Sequence, residues 1–353
     1  MTGATIKEQF LRTAKQSGLF ALARHLTARQ PRILAYHGIW LGEGQFGNFL
    51  YMSAEKFAAR MALLERWKYP VVALSELAHA NNHLPSCPTV ITIDDGWHGT
   101  WSAMLPALEK YNYPATVYLT TFYCLHQNPV IDVALQYCFH SIDASRIRVL
   151  HLRQYQFGPL PIDTDAARTS ALAEALKTVA ALPDDPSRQA FLQALCREAG
   201  INHDSLMAHR WFHLMSPHEV QDAARRGITF ECHTHRHRIR QGSRDCLEEE
   251  ITKNREHIAR LTGRAPEHFC YPSGQYSREL WPVLEKCRMT SATTTDAGLV
   301  KDNSPKYALP RILDGQDISD LEFEAEMSGF MEIARIPRRF LSGAPGPQHV
   351  AER

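Results

Sequence analysis

Thr89-Val90-Ile91-Thr92-Ile93-Asp94-Asp95-Gly96 is the stretch whose reading decides the fold of this chain. Its first five residues are mostly β-branched and apolar, which predicts a short buried strand. The strand ends on two adjacent carboxylates and a glycine. Bringing two neighbouring charges to the end of a buried strand is costly unless something neutralises them. A bound cation would do so, and so would the use of one carboxylate as a base. Taken alone, the stretch is a strand followed by an ordinary Asp-Gly turn. What argues against that default lies beyond residue 230.

Working outward, the segments on both sides alternate in kind. Arg32–Ile39 predicts a strand and turn, Ser53 caps a helix running to Trp67, and Val71–Leu74 predicts another short strand. After the Asp-Asp strand, a helix over 98–111 leads to the β-branched strand Ala115–Thr120. Strand and helix at regular intervals are the pattern of a parallel sheet with crossover helices. From about 123 to 215 the rhythm is lost. Helices over 130–142, 165–182 and 187–199, a strand over 146–152 and a loop over 155–163 predict an inserted, mostly helical subdomain. The rhythm resumes at Ser216-Pro217-His218-Glu219, whose residue types form a capping box with proline at the first helical position. Strands at 228–232, 269–271, 290–295 and 309–313 follow, with helices over 244–262 and 276–287 between them. One or two amphipathic helices over 5–29, broken at Gly18, precede all this. An amphipathic helix over 317–340 and a Pro/Gly-rich tail follow it.

The 353 residues suffice for one large α/β domain with an insertion or for two ordinary domains. Lys+Arg 39 against Asp+Glu 38 leaves no basic excess, which argues against nucleic acid as a partner. Eighteen histidines favour metal or acid–base chemistry. The first thirty residues lack the order of a secretory signal, no apolar run is long enough to span a bilayer, and the eight cysteines form no CxxC pair. These features predict a cytoplasmic protein with reduced thiols.

The second informative stretch is His233-Thr234-His235-Arg236-His237. As continuous strand its histidines would stand about 6–7 Å apart along the chain. Two imidazoles on one ion need far closer nitrogens, since each metal–nitrogen bond is about 2.0–2.1 Å. The chain must therefore turn after Cys232, bringing together 233/235, 233/237 or 235/237. Both stretches sit at strand ends of one alternating sheet, where ligands bind in such folds. Two histidines and one carboxylate, with a carboxylate to spare, form the donor set of a hydrolytic divalent-metal site.

Three motifs in order now carry a resemblance. Thr92-Ile93-Asp94-Asp95-Gly96 resembles the first motif of the polysaccharide deacetylases (NodB homology, carbohydrate esterase family 4), His233–His237 the second, and Phe269-Cys270-Tyr271-Pro272-Ser273-Gly274 the third. The resemblance implies a distorted (β/α) barrel of the NodB type over residues 31–315 with the helical insertion inside it. Residues 1–30 would be an N-terminal helical segment and 316–353 a C-terminal helix and tail. It implies Asp95, His233 and His237 as metal ligands and Asp94 as general base. Tyr271, Pro272 and Gly274 would line the substrate groove, a backbone N–H near Tyr271 helping to hold the oxyanion. Zn²⁺ suits the set best, with Co²⁺, Ni²⁺ and Fe²⁺ compatible.

The chain departs from the family at the proton donor. The fifth motif is usually Leu-x-His, and here Leu309-Pro310-Arg311 stands in its place; arginine does not donate a proton near neutral pH. The third motif has Cys270 where an arginine usually leads, and only Asp296 matches the fourth. Tyr36-His37 resembles the opening motif of circularly permuted members, which makes His37 the expected general acid. The implied reaction is removal of an N-acetyl group from an amino sugar, within surface or exopolysaccharide biosynthesis. Alternatives are a deformylase of a lipid-linked amino sugar and a non-catalytic glycan-binding protein. The expected partner is an N-acetylated saccharide, lipid-linked if the basic, apolar C-terminus (Phe330, Ile333, Arg335, Ile336, Arg338, Arg339) rests on a membrane surface.

Overall fold

The computed structural model describes residues 3–44, 46–79, 84–239 and 244–335. In chain order the strands are β1 (Arg32–Tyr36), β2 (Gly38–Ile39), β3 (Tyr51–Met52), β4 (Thr89–Asp95), β5 (Ala115–Leu119), β6 (Val149–Leu152), β7 (Phe157–Pro161), β8 (Ile228–Cys232), β9 (His268–Cys270), β10 (Ser291–Ala297) and β11 (Leu309–Leu313). Seven of them close a barrel in the order β1-β11-β10-β9-β8-β5-β4, and every pairing in it is parallel. This is the parallel α/β sheet that the alternation of strand and helix predicts, closed into the barrel that the resemblance implies.

The strands are apolar on both faces because both faces are covered. Leu34, Ile91, Ile93, Val117, Leu119 and Phe230 pack against the surrounding helices. Their alternate neighbours Ile33, Val90, Tyr118, Cys270 and Leu309 form a separate cluster. Arg311 on β11 shows where that second face points. Its guanidinium reaches Thr92 and Asp94 on β4 and lies near Cys270 on β9. Neither strand borders β11 in the ring, so these contacts cross the barrel lumen.

Several local expectations are corrected. Val71–Leu74 is no strand and makes only a bridge from Val71 to Thr89, because β1 holds one edge of β4 and β5 takes the other from Thr92 onward, leaving only the start of that edge open. The loop expected over 155–163 contains β7, which pairs antiparallel with β6. The helix expected over 317–340 is interrupted rather than continuous: Asp320–Met327 is followed by a turn at Ser328 and Gly329, where φ is +77° and an added Cβ would lie 2.3 Å from Thr27 Oγ1, and helix resumes from Phe330 to the last described residue, Arg335. Ile336, Arg338 and Arg339 lie outside the described residues. Among those described, no helix is long and apolar enough to cross a membrane.

The stretch between β5 and β8 builds a core of its own. Phe139, Leu150, Phe157, Phe191, Leu192 and Leu195 pack together there, and Trp40, Phe46, Tyr51 and Trp97 join them from the barrel side. Its base is stitched to the turn after β4: Met215 N–H donates to the Gly96 carbonyl (2.8 Å) and His98 N–H to the His213 carbonyl (2.9 Å).

Candidate active site

Strand alternation alone would place the side chains of Asp94 and Asp95 on opposite faces of β4. The backbone prevents this. Asp95 has φ +68° and Gly96 φ +84°, two left-handed residues in succession at the strand end. Aspartate tolerates that conformation better than most side chains. At Gly96 only glycine fits, since an added Cβ would lie 2.5 Å from Leu119 Cδ1. Both carboxylates thereby serve one site while doing different things.

Asp94 is tied into the lumen. Arg311 Nη1 and Nη2 donate to its two oxygens at 2.7 Å each, a bidentate fork with both partners buried. His37 Nε2 stands 3.4 Å from Asp94 Oδ2, at the end of the neighbouring β1. Burial works against the charged form, but Arg311 and His37 outweigh it and hold the Asp94 carboxyl down to about 2. Asp94 is therefore ionised throughout the neutral range.

Asp95 is directed elsewhere. Trp97 Nε1–H donates to its Oδ2 at 2.9 Å, whereas Oδ1 is buried without any hydrogen-bond donor. Aimed at Oδ1 are His233 Nε2 at 3.2 Å and His237 Nε2 at 3.3 Å. His233 Nδ1 lies 2.8 Å from the Cys270 carbonyl, which can only accept, so Nδ1 carries the proton and Nε2 presents a lone pair. One atom each from Asp95, His233 and His237 lies within 4.8 Å of the others. An unsatisfied carboxylate oxygen, two converging imidazoles and a carbonyl behind one ring fit a divalent cation, down to the partner that orients a ligating histidine. The group Asp94, His233 and Cys270 is equally close together, but both Asp94 oxygens already belong to Arg311. That makes it the poorer donor set.

Of the expected site residues, Asp94, Asp95, His37, His233 and His237 come together. His235 does not; it turns away to Thr121 Oγ1 (2.9 Å) and stacks on His257. Tyr271 is 1% exposed, its hydroxyl donating to the Tyr307 carbonyl and its N–H to the Thr293 carbonyl at 3.3 Å. Pro272 and Gly274 are buried beside it, and a Cβ at Gly274 would lie 2.0 Å from Thr295 Oγ1. Tyr271, Pro272 and Gly274 are thus buried in this structure, while Ser273 between them is exposed and Cys270 before them faces His233 and Asp94. Asp296 accepts from the Tyr276 hydroxyl. Two site residues escaped the sequence reading. Arg311 figured there only where a histidine was expected, and Trp97, which bonds Asp95, was given no role. A cation at the second inward position of Leu309-Pro310-Arg311-Ile312-Leu313 was a legible sign of a buried partner.

Barrel and donor set together define a NodB-type α/β barrel. Residues 191–292 match the polysaccharide deacetylase family, and a shorter match to the DnaB-helicase binding domain of primase covers residues 160–204, within the insertion. Among solved structures, the chain is similar to the Streptococcus pyogenes deacetylase PplD in complex with acetate, at 15% identity and TM-score 0.57, covering 85% of this chain and 99% of that one. It is also similar to IcaB from Ammonifex degensii (13% identity, TM-score 0.54, 85% and 97% covered). A de-N-acetylase from Aggregatibacter actinomycetemcomitans gives 14% identity and TM-score 0.53, with 84% and 99% covered. No curated protein matches the sequence. The family match covers residues 191–292, and the fold around it is that of the NodB-type deacetylases.

Proposed function

We propose that this protein is a metal-dependent deacetylase that hydrolyses the N-acetyl group of an amino sugar belonging to a surface polysaccharide or its lipid-linked precursor. The observation that carries this reading is the orphaned Asp95 Oδ1 facing His233 and His237 beside an ionised Asp94. Asp95, His233 and His237 would hold the ion, Zn²⁺ by preference. When bound, it supplies a Lewis acid that polarises the amide carbonyl and acidifies water.

The chain's own residues supply the proton transfers. Asp94 Oδ2 accepts a proton from the attacking water, and the Arg311 fork keeps that oxygen in place and charged. His37 Nε2, which shares the Asp94 oxygen, donates a proton to the departing amine nitrogen as the C–N bond breaks. The products are the free amino sugar and acetate, so the one water consumed is fully accounted for. His37 is partly exposed while Asp94 is buried, as befits an acid that meets the leaving group and a base that meets the water.

Acetate release from a panel of N-acetylated amino sugars and their lipid-linked forms, with and without chelator, tests the reading. Metal-loaded protein should release acetate, and chelation should stop it. Asp94→Asn and His37→Ala should each lower turnover by at least about 100-fold while bound metal stays at the wild-type level. Formate in place of acetate would mark a deformylase. Turnover indifferent to chelator and to Asp94→Asn would overturn the proposal.

A further inference from the structure

The loop that brings His233 and His237 together is strained. Thr234 has φ +61° and His237 φ +55°, so two of its five residues lie in the left-handed region. For a β-branched threonine this is a rare conformation, which persists only when the surroundings over-determine it. Within the loop there is one restraint, the Arg238 N–H donating to Thr234 Oγ1 at 3.1 Å. The others come from two places: the segment after β5, where the Phe122 N–H donates to the His235 carbonyl at 2.8 Å and the Thr120 hydroxyl to the His233 carbonyl at 3.3 Å, and the helix Arg244–Thr262.

Two residues of that helix, one turn apart, grip the loop at separate points. Asn254 is fully buried and all its polar atoms are used. Its Oδ1 accepts the His233 N–H at 3.0 Å, while Nδ2 donates to the Leu119 carbonyl at 2.9 Å and to Thr121 Oγ1 at 3.0 Å. Asn254 therefore locks the start of the loop to the end of the neighbouring strand β5. Glu250 takes the middle: one oxygen accepts the Arg236 N–H at 2.7 Å, the other the Arg236 guanidinium at 2.9 Å. Thr121 completes the set, its hydroxyl 2.9 Å from His235 Nδ1, which holds that histidine off the site.

We infer that Asn254 and Glu250 are positioning residues that set the separation of the two histidine donors, and that they determine the metal affinity of the site without touching the ion. This rests on the metal reading above. The helix anchors the loop backbone at residues 233 and 236, on either side of the Phe122 bond to the His235 carbonyl, and the left-handed turn at His237 follows directly on the second anchor. Without those anchors the strained turn relaxes, and the two Nε2 atoms separate.

The test compares Zn²⁺ affinity, by competition with a chromophoric chelator, and the visible spectrum of the Co²⁺-loaded protein. Asn254→Ala and Glu250→Gln should each weaken Zn²⁺ binding about 10- to 100-fold and alter the Co²⁺ spectrum. Ile258→Val, one turn further along the same buried face, should lower thermal stability and leave both readouts at wild-type values. If Asn254→Ala does not fold, the near-isosteric Glu250→Gln decides alone. Wild-type affinity and spectrum in the folded variants overturn the inference. A wild-type protein that binds neither ion overturns the metal reading, and this inference with it.

Discussion

Asp94 sits between two partners that cannot replace one another. Arg311 is permanently charged and buried, and its fork fixes both oxygens; His37 stands at the mouth and can exchange a proton. Arg311→Lys keeps a charge but gives up the fork. It should lower kcat and move the acid limb of the pH–rate profile upward, because weaker compensation lets burial raise the carboxyl from about 2. Metal content should stay unchanged. A profile that coincides with the wild type would mean that the fork does not set the base. At this scale the sequence was legible wherever a motif carried its own chemistry, as at Asp94, Asp95, His233 and His237. It marks Arg311 as an inward cation but does not name its partner, because that contact crosses the lumen between residues 217 positions apart.

At the scale of elements, the helix Pro217–Arg225 shows how local signals become tertiary ones. Ser216 and Glu219 form the capping box their spacing predicts. The same Glu219 also accepts from Arg210 and faces His98, joining the insertion's exit to the helix that follows β4. Burial opposes its ionisation, but His98, Arg210 and the Ser216 N–H hold it at about 2. Its carboxylate is thus stabilised in the folded state relative to an ordinary value of 4.5. That contribution is complete above about pH 4.5 and disappears as pH falls through about 2. Glu219→Gln should cost about 1–3 kcal/mol at pH 7, with the gap to wild type closing in denaturation series taken between pH 4.5 and 2. A constant gap would assign Glu219 no ionic role. The capping box is local and could be read from four residues; the Arg210 contact depends on where a helical insertion of irregular rhythm ends, which periodicity does not encode.

For the whole molecule, the parallel sheet was legible because its strands are short, mostly apolar or β-branched, and separated for the most part by helices, whereas closure into a barrel was implied only by the resemblance. The insertion was legible only as an interruption, since its hairpin β6–β7 depends on pairing rather than on pattern. Its core is distinct from the barrel's, with Phe191 fully buried against Tyr155 and Phe157. Phe191→Ala should cost about 3–5 kcal/mol in urea denaturation while Zn²⁺ affinity stays at the wild-type value. A loss of metal binding in the folded variant would show that the two cores are not independent.

The base of that insertion also says where a protein engineer could cut. Val130 N–H donates to the Phe212 carbonyl at 2.7 Å, so the two ends of residues 131–211 already meet. A turn-length linker would close the gap at little entropic cost and leave the stitch between Met215 and Gly96 in place. What such a minimal barrel forfeits is the apolar bed under Trp40, Phe46 and Tyr51. Cutting there would uncover all three aromatics, so a trimmed barrel should stay soluble only with polar replacements at these positions.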